Sequence, residues 1–258
     1  MVAAEAPSQD HTPVVSTEFP GLELVDDPTV ATWITERLRG RDPLGIRVGA
    51  LVPHGYEAYA RIMHPAYEVE GRPGTAIRWS EITQRTGAEL RADTPFRRIT
   101  VPTGSAVLFG PHGAWDQDAS PREGSMPAEI VDPLVRVLGR FTTTPGRCWL
   151  CIWEGFGFQD LDRLAARTSA RILVSYGQDV ILAGALSVLT GSWPWRQSPN
   201  LWWPYDRAWC VATEIDDQST YVGGSRGCIE AILQTSVLEA VETLPGAFVT
   251  RAGEWLRP

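Results

Sequence analysis

A chain of 258 residues, 43% hydrophobic and 21% charged, can bury a core without disulfide or metal staples, as one large domain or two small ones. Its formal net charge of -8 argues against non-specific nucleic-acid binding and against a polybasic membrane patch, since both need clustered cations. All 23 basic residues are arginine, which excludes every reaction built on a side-chain ammonium: a Walker A lysine, a pyridoxal Schiff base, a kinase-type lysine or a Ser-Lys dyad.

The stretch MVAAEAPSQDHTPVVSTEFPG has no charged segment followed by an apolar one, so it is not expected to be a signal peptide. Residues 1–20 read as a flexible tail. No apolar run approaches the ~18 residues needed to cross a bilayer. A cytoplasmic location is expected, with Cys148, Cys151, Cys210 and Cys228 as reduced thiols.

DDPTVATWITERLRG predicts a helix, with Asp27 as cap, Pro28 in the first turn, Gly40 as stop, and an apolar stripe of Val30, Trp33, Ile34 and Leu38. GYEAYARIM predicts a second helix, flanked by His54 and His64. WSEITQRTG predicts a third, capped by Ser80 and stopped by Gly87. Residues 87–127 are rich in Gly, Pro, Asp and Ser, with SAVLF as a strand-like piece. They are a candidate boundary between a helical half, 21–90, and an α+β half, 105–258, within one globular region from 21 to 258. PAEIVDPLVRVLGRF predicts a helix that Pro133 restarts near Asp132.

Strand signals dominate the second half. RCWLCIW is an apolar run of strand length, RILVS and DVILAG flank a YGQ turn, and AWCVATEID and STYVG flank a polar turn. SRGCIEAILQTSVLEAV predicts a helix and AFVTR a last strand. The expected fold is α+β, a mostly antiparallel sheet built from hairpins with flanking helices.

Three segments carry candidate chemistry. The first is the acidic hairpin with Glu214, Asp216 and Asp217, beside Asp206 in sequence. Grouped carboxylates of this kind hold Mg²⁺ or Ca²⁺ or divide acid and base roles, and they equally suit a solvated Asp-rich turn. The second is Gly223, Gly224, Ser225 and Arg226, a glycine turn into a helix whose first N–H groups suit an anion. Its spacing is not G-x-G-x-x-G, and Ser225 as a plain N-cap explains it as well. The third is GSWPWRQSPNLWWPYDRAW, a Pro-stiffened segment with Trp193, Trp195, Trp202, Trp203, Tyr205 and Trp209. It reads either as a recognition loop or as a loop pinned by its own indoles.

His11, His54, His64 and His112 lack a visible nucleophile partner. Cys148 and Cys151 fall three apart on an expected strand, so they face opposite ways and read as small apolar residues. WEGFGFQD reads as a tight exit from the sheet beside a groove, with Gly155 and Gly157 at the bend.

SPNLWWPYDRAWCVATEIDDQSTYVGGS, TTTPGRCWLCIWEGFG and GYEAYARIMHPA resemble a set of hypothetical proteins from high-GC actinobacteria, over most of residues 21–258. The resemblance implies a source and no chemistry. The hairpin-then-helix C-terminal half is also similar in pattern to SUKH-type immunity proteins, which bind toxins. The resulting expectation is a non-enzymatic binding protein with no cofactor, engaging a basic protein partner through Trp193, Trp195, Trp202, Trp203, Tyr205 and Asp206 and the adjacent acidic hairpin. The alternative is a metal- or phosphate-dependent hydrolase, with Glu214, Asp216 and Asp217 on the metal and Gly223–Arg226 on an anion.

Overall fold

The computed structural model describes residues 19–39, 41–42, 45–68, 75–100, 119–174, 177–191 and 193–249. The expected strand SAVLF, together with His11, His112 and Gly40, lies outside them. At the centre stands a nine-stranded sheet in which every neighbouring pair is antiparallel. Its strands are β1 (Leu22–Leu24), β4 (Ala58–Met63), β7 (Cys148–Trp153), β8 (Arg171–Val174), β9 (Gly177–Gly184), β10 (Leu201–Pro204), β11 (Trp209–Thr213), β12 (Ser219–Gly224) and β13 (Ala240–Thr243). The order is β1-β9-β7-β10-β11-β12-β4-β13, with β8 alongside β9. Two small ribbons lie outside the sheet: β2 (Arg41–Asp42) with β3 (Gly45–Ile46), and β5 (Ala66–Tyr67) with β6 (Ala76–Ile77).

Both faces of the sheet are covered, so its central strands are apolar on both sides. On one face Ala60, Ile62, Leu150, Trp202, Trp209, Val211 and Val222 pack under α4 (Ala128–Leu138), α5 (Gln159–Ala165), α6 (Val188–Gly191) and α7 (Arg226–Leu233). On the other, Tyr59, Trp149, Cys151, Trp203, Cys210, Ala212 and Tyr221 pack under α1 (Thr32–Thr35), the 3₁₀ turn before it, and residues 48–52. A third cluster joins Met63 and Ile77 to α2 (Trp79–Thr86) and α3 (Phe96–Ile99). The expected α+β class, both C-terminal hairpins and the Cys148–Trp153 strand all appear. Asp27 caps the first helical segment as expected, its Oδ1 accepting from Thr29 N at 2.9 Å.

Several elements differ from expectation. GYEAYARIM is no helix: Ala58–Met63 is β4, fully buried between β12 and β13. The first ninety residues are therefore not a helical half, since β1 and β4 belong to the common sheet. LWWP is the central strand β10 rather than part of a loop. Pro133 lies inside an unbroken α4, where the helix takes the loss of one N–H without restarting. The C-terminal helix stops at Leu233, and Ala240–Thr243, whose first two residues were expected within it, is the edge strand β13. Of AFVTR, residues 247–249 are described, and they supply an isolated bridge, Arg47 with Phe248. Phe19, assigned to the tail, is buried against Trp195 with ring centroids 5.1 Å apart.

The cap of α2 also differs. Ser80 sits inside the helix, and the Glu239 carboxylate accepts from Trp79 N at 2.6 Å and from Ser80 N at 2.7 Å. A carboxylate at the positive end of a helix satisfies two donors that the helix leaves unpaired. Glu239→Ala is expected to lower stability by ~1–2 kcal/mol, read as a shift in the urea midpoint. An unchanged midpoint would show that water replaces the carboxylate without loss.

Candidate functional site

The residues expected to form one acidic or anion-binding site are spread along the sheet. Glu214, Asp216 and Asp217 lie in the β11–β12 turn, and Asp206 lies in the β10–β11 turn at the opposite end of β11. Glu214 Oε2 accepts from Asp216 N at 2.8 Å, and Asp217 Oδ2 accepts from the Tyr221 hydroxyl at 3.0 Å. Asp206 ties down the Thr142–Thr144 bend, accepting from Thr143 N at 2.7 Å and from the hydroxyls of Thr142 and Thr143. Burial pushes its carboxyl up, but these hydrogen bonds outweigh burial and hold it below the usual carboxylate range. Among the described residues no group of three or more His, Cys, Asp or Glu is placed to hold a metal ion.

The glycine turn is already engaged. Ser225 caps α7, its Oγ accepting from Cys228 N at 3.3 Å, and the next helical N–H, that of Arg226, donates to Glu57 Oε2 at 2.8 Å. Glu57 reaches this point because β4 pairs with β12 in the register Ala58↔Gly224. The helix terminus is thus filled by a carboxylate of the chain itself. Gly223 is needed for packing, since a Cβ there would come within 2.6 Å of the Tyr56 ring. This turn and the Glu214–Asp217 turn sit at opposite ends of β12, roughly 17 Å apart at ~3.3 Å per residue. They do not converge on one pocket.

The aromatic segment divides in three. Trp203 is 0% exposed on the α1 side of the sheet, edge-on to Trp33 at 6.1 Å. Tyr205, 55% exposed, lies past the far end of β10, stacked under the Arg147 guanidinium at 4.9 Å. The exposed indole patch expected from Trp202 and Trp203 is not formed, because period-two alternation in β10 turns both rings into the two cores. Trp193, Trp195 and Trp202 instead meet at a cavity of about 340 Å³ between α4, α6 and the segment leading into β10.

Each wall of that cavity follows from its local sequence. Ala128, Val131 and Asp132 stand three and four apart on α4 and so share a face. Leu189, Thr190 and Gly191 come from α6, and Met126 and Arg122 from the segment before α4. Trp202, 1% exposed, is held edge-on to Trp209 at 5.3 Å. Trp193 and Trp195 meet edge to face at 5.2 Å, and Trp193 Nε1 donates to the Gln197 carbonyl at 2.6 Å. The loop is clamped to the opposite segment: Met126 N donates to Ser198 Oγ, and Ser198 N to Ser125 Oγ, both at 2.9 Å. Arg122 Nη2 donates to the Arg196 carbonyl at 2.8 Å. The indole N–H groups of Trp195 and Trp202 are buried without an acceptor. Both nitrogens are closed off from the cavity space, so these indoles present ring surface to it rather than donors. Trp193, Trp195 and Trp202 were visible in the sequence. Arg122, Asp132 and Leu189 were not, because only the fold brings them there.

The remaining titratable candidates, His54 apart, are interior. Burial pushes the thiols of Cys148 and Cys228 up to about 12, and those of Cys151 and Cys210 rise for the same reason. All four are buried free cysteines, Cys148 and Cys151 on opposite faces of the sheet as expected. His54 is exposed beside Gly49, and His64 is fully buried at the end of β4, so no helix separates them. No described helix is long and apolar enough to cross a membrane. Compared with protein-family models, curated proteins and solved structures, the chain matches none of them.

Proposed function

We propose that this chain is a binding protein whose receptor site is the α4–α6 cavity, and that it takes a small flat ligand rather than the surface of a partner. The observation that carries this reading is a cavity of about 340 Å³ in which Trp193, Trp195, Met126, Val131 and Leu189 stand beside the charged residues Arg122, Asp132 and Arg196. Ligand sites combine apolar walls with a few placed polar groups in volumes of this order. The clamp formed by Ser125, Ser198 and Arg122 holds the loop in place, so little ordering is left to do on binding. A docking surface built on Trp202 and Trp203, as the sequence suggested, has less support because both rings are core.

Gly191 offers a clean test. It lines the cavity, and a Cβ added there meets nothing within 4 Å. Gly191→Trp is expected to fold normally and fill the space. In a ligand-observed NMR screen of small aromatic compounds, hits on the wild-type protein should vanish on this variant. A screen in which no hit depends on residue 191 would sink the reading.

A further inference from the structure

The charges at the cavity mouth narrow the ligand class. Two guanidinium groups, Arg122 and Arg196, and one carboxylate, Asp132, belong to the lining, which leaves one net positive charge. This stands in a chain whose overall charge is -8. None of the three is in an ion pair among the described residues, where the pairs involve Arg91, Arg163, Arg171 and Arg226 instead. The Arg122 side chain spends only Nη2 on the loop, on the Arg196 carbonyl at 2.8 Å and Gln197 Oε1 at 3.4 Å, so Nε and Nη1 keep their N–H donors.

Resting on the binding reading above, we infer that the ligand is an organic monoanion: a flat apolar ring system bearing one carboxylate. The ring lies against Trp193, Trp195 and Leu189, and the carboxylate meets the guanidinium groups of Arg196 and Arg122. Guanidinium matches carboxylate in plane and charge, and a charge-assisted pair is about twice as strong as a neutral hydrogen bond. Asp132 on the facing helix disfavours a second negative charge. A cation would find one carboxylate against two guanidinium groups.

Isothermal titration calorimetry on the full chain tests this with three probes of one shape: 1-naphthaleneacetate, the neutral 1-naphthaleneacetamide and the cationic 1-naphthalenemethylammonium. The acetate should bind at least 10-fold more tightly than the amide, and the ammonium more weakly again. Arg196→Gln should erase the preference for acetate while leaving the amide within about 3-fold of wild type. Raising NaCl from about 50 to 500 mM should weaken the acetate and spare the amide, because the mouth is solvent-exposed. If the amide or the ammonium equals the acetate in a Gly191-dependent way, the anion inference is overturned and the cavity reading stands. If no probe binds, or if binding persists in Gly191→Trp, the cavity reading falls and the inference with it.

Discussion

Trp203→Ala is expected to destabilise the protein by ~3–5 kcal/mol, the cost of emptying a fully buried aromatic site that relaxes only in part. The ring is 0% exposed, edge-on to Trp33, and sits on β10 between β7 and β11. For a domain of typical stability, ~5–15 kcal/mol, that is a large share of the total. Trp203→Phe should cost less than half as much. The indole N–H of Trp203 is buried without an acceptor, so phenylalanine removes an unsatisfied donor while keeping most of the packing. Urea melts of the two variants against wild type make the comparison. A Trp203→Ala protein as stable as wild type would mean that the ring is a surface anchor after all, and the assignment of β10 to the core would fail with it.

The same strand shows why part of the fold was legible in the sequence and part was not. β7 and the β8–β9 and β11–β12 hairpins announce themselves by β-branched or apolar runs between turn residues. β10 is equally apolar, but Pro199 and Pro204 bracket it and proline argues against a central strand. Pro204 escapes that rule by standing at the last position, opposite Cys148. β4 misleads in another way. Tyr59, Ile62 and Met63 recur at helical spacing, yet all six residues are buried because both faces are covered. Arg61 in its centre looks like a solvent-facing break in an apolar pattern. It is fully buried, donating to Ser219 Oγ and to the carbonyls of Ala92 and Thr94, with Trp79 under its guanidinium at 4.9 Å. β13 follows α7 after six residues with no proline or glycine between them, so helical periodicity had nothing to stop it.

The site was legible in composition and illegible in arrangement. Six aromatics in one short stretch did mark a place of interest, and three of them do meet at the cavity. Which of Trp202 and Trp203 joins Trp193 and Trp195 there follows from the alternation of β10, and that alternation is readable only once β10 is known to be a strand. The facing walls come from α4, some sixty to seventy residues earlier, and from the Ser125–Ser198 clamp. Nothing local in either segment refers to the other. The glycine turn failed as an anion site for a similar reason, because the carboxylate that fills it, Glu57, arrives through the β4–β12 register.

Acid should destabilise this protein well above the range where carboxylates titrate, and His64 is the reason. Its ring is 0% exposed. Nδ1 lies 2.6 Å from the Arg122 carbonyl, which can only accept, so Nδ1 carries the proton. Nε2 then accepts from the Thr220 hydroxyl at 2.9 Å, and Thr220 in turn meets Thr213 Oγ1 at 2.8 Å. The neutral ring is fully satisfied. Protonating it would bury a second cation near Arg61 and Arg122. Loss of hydration is the main cause that lowers its pKa from 6.5 to about 4, the Arg122 carbonyl opposes the shift, and the two guanidinium groups add to it. Between those values the unfolded chain binds the proton and the folded one does not. The stabilising contribution is therefore complete above about pH 6.5 and is lost progressively as the pH falls towards 4. At ~1.4 kcal/mol per unit the loss is ~2 kcal/mol by pH 5 and ~3 kcal/mol in full. Urea midpoints at pH 7.5, 6.0 and 5.0 should fall steadily for the wild type and for His54→Gln, whose histidine is exposed. His64→Gln should start lower at pH 7.5 and lose most of the slope. Equal slopes in all three proteins would show that the acid sensitivity has another source and that the His64 ring reaches water when it titrates.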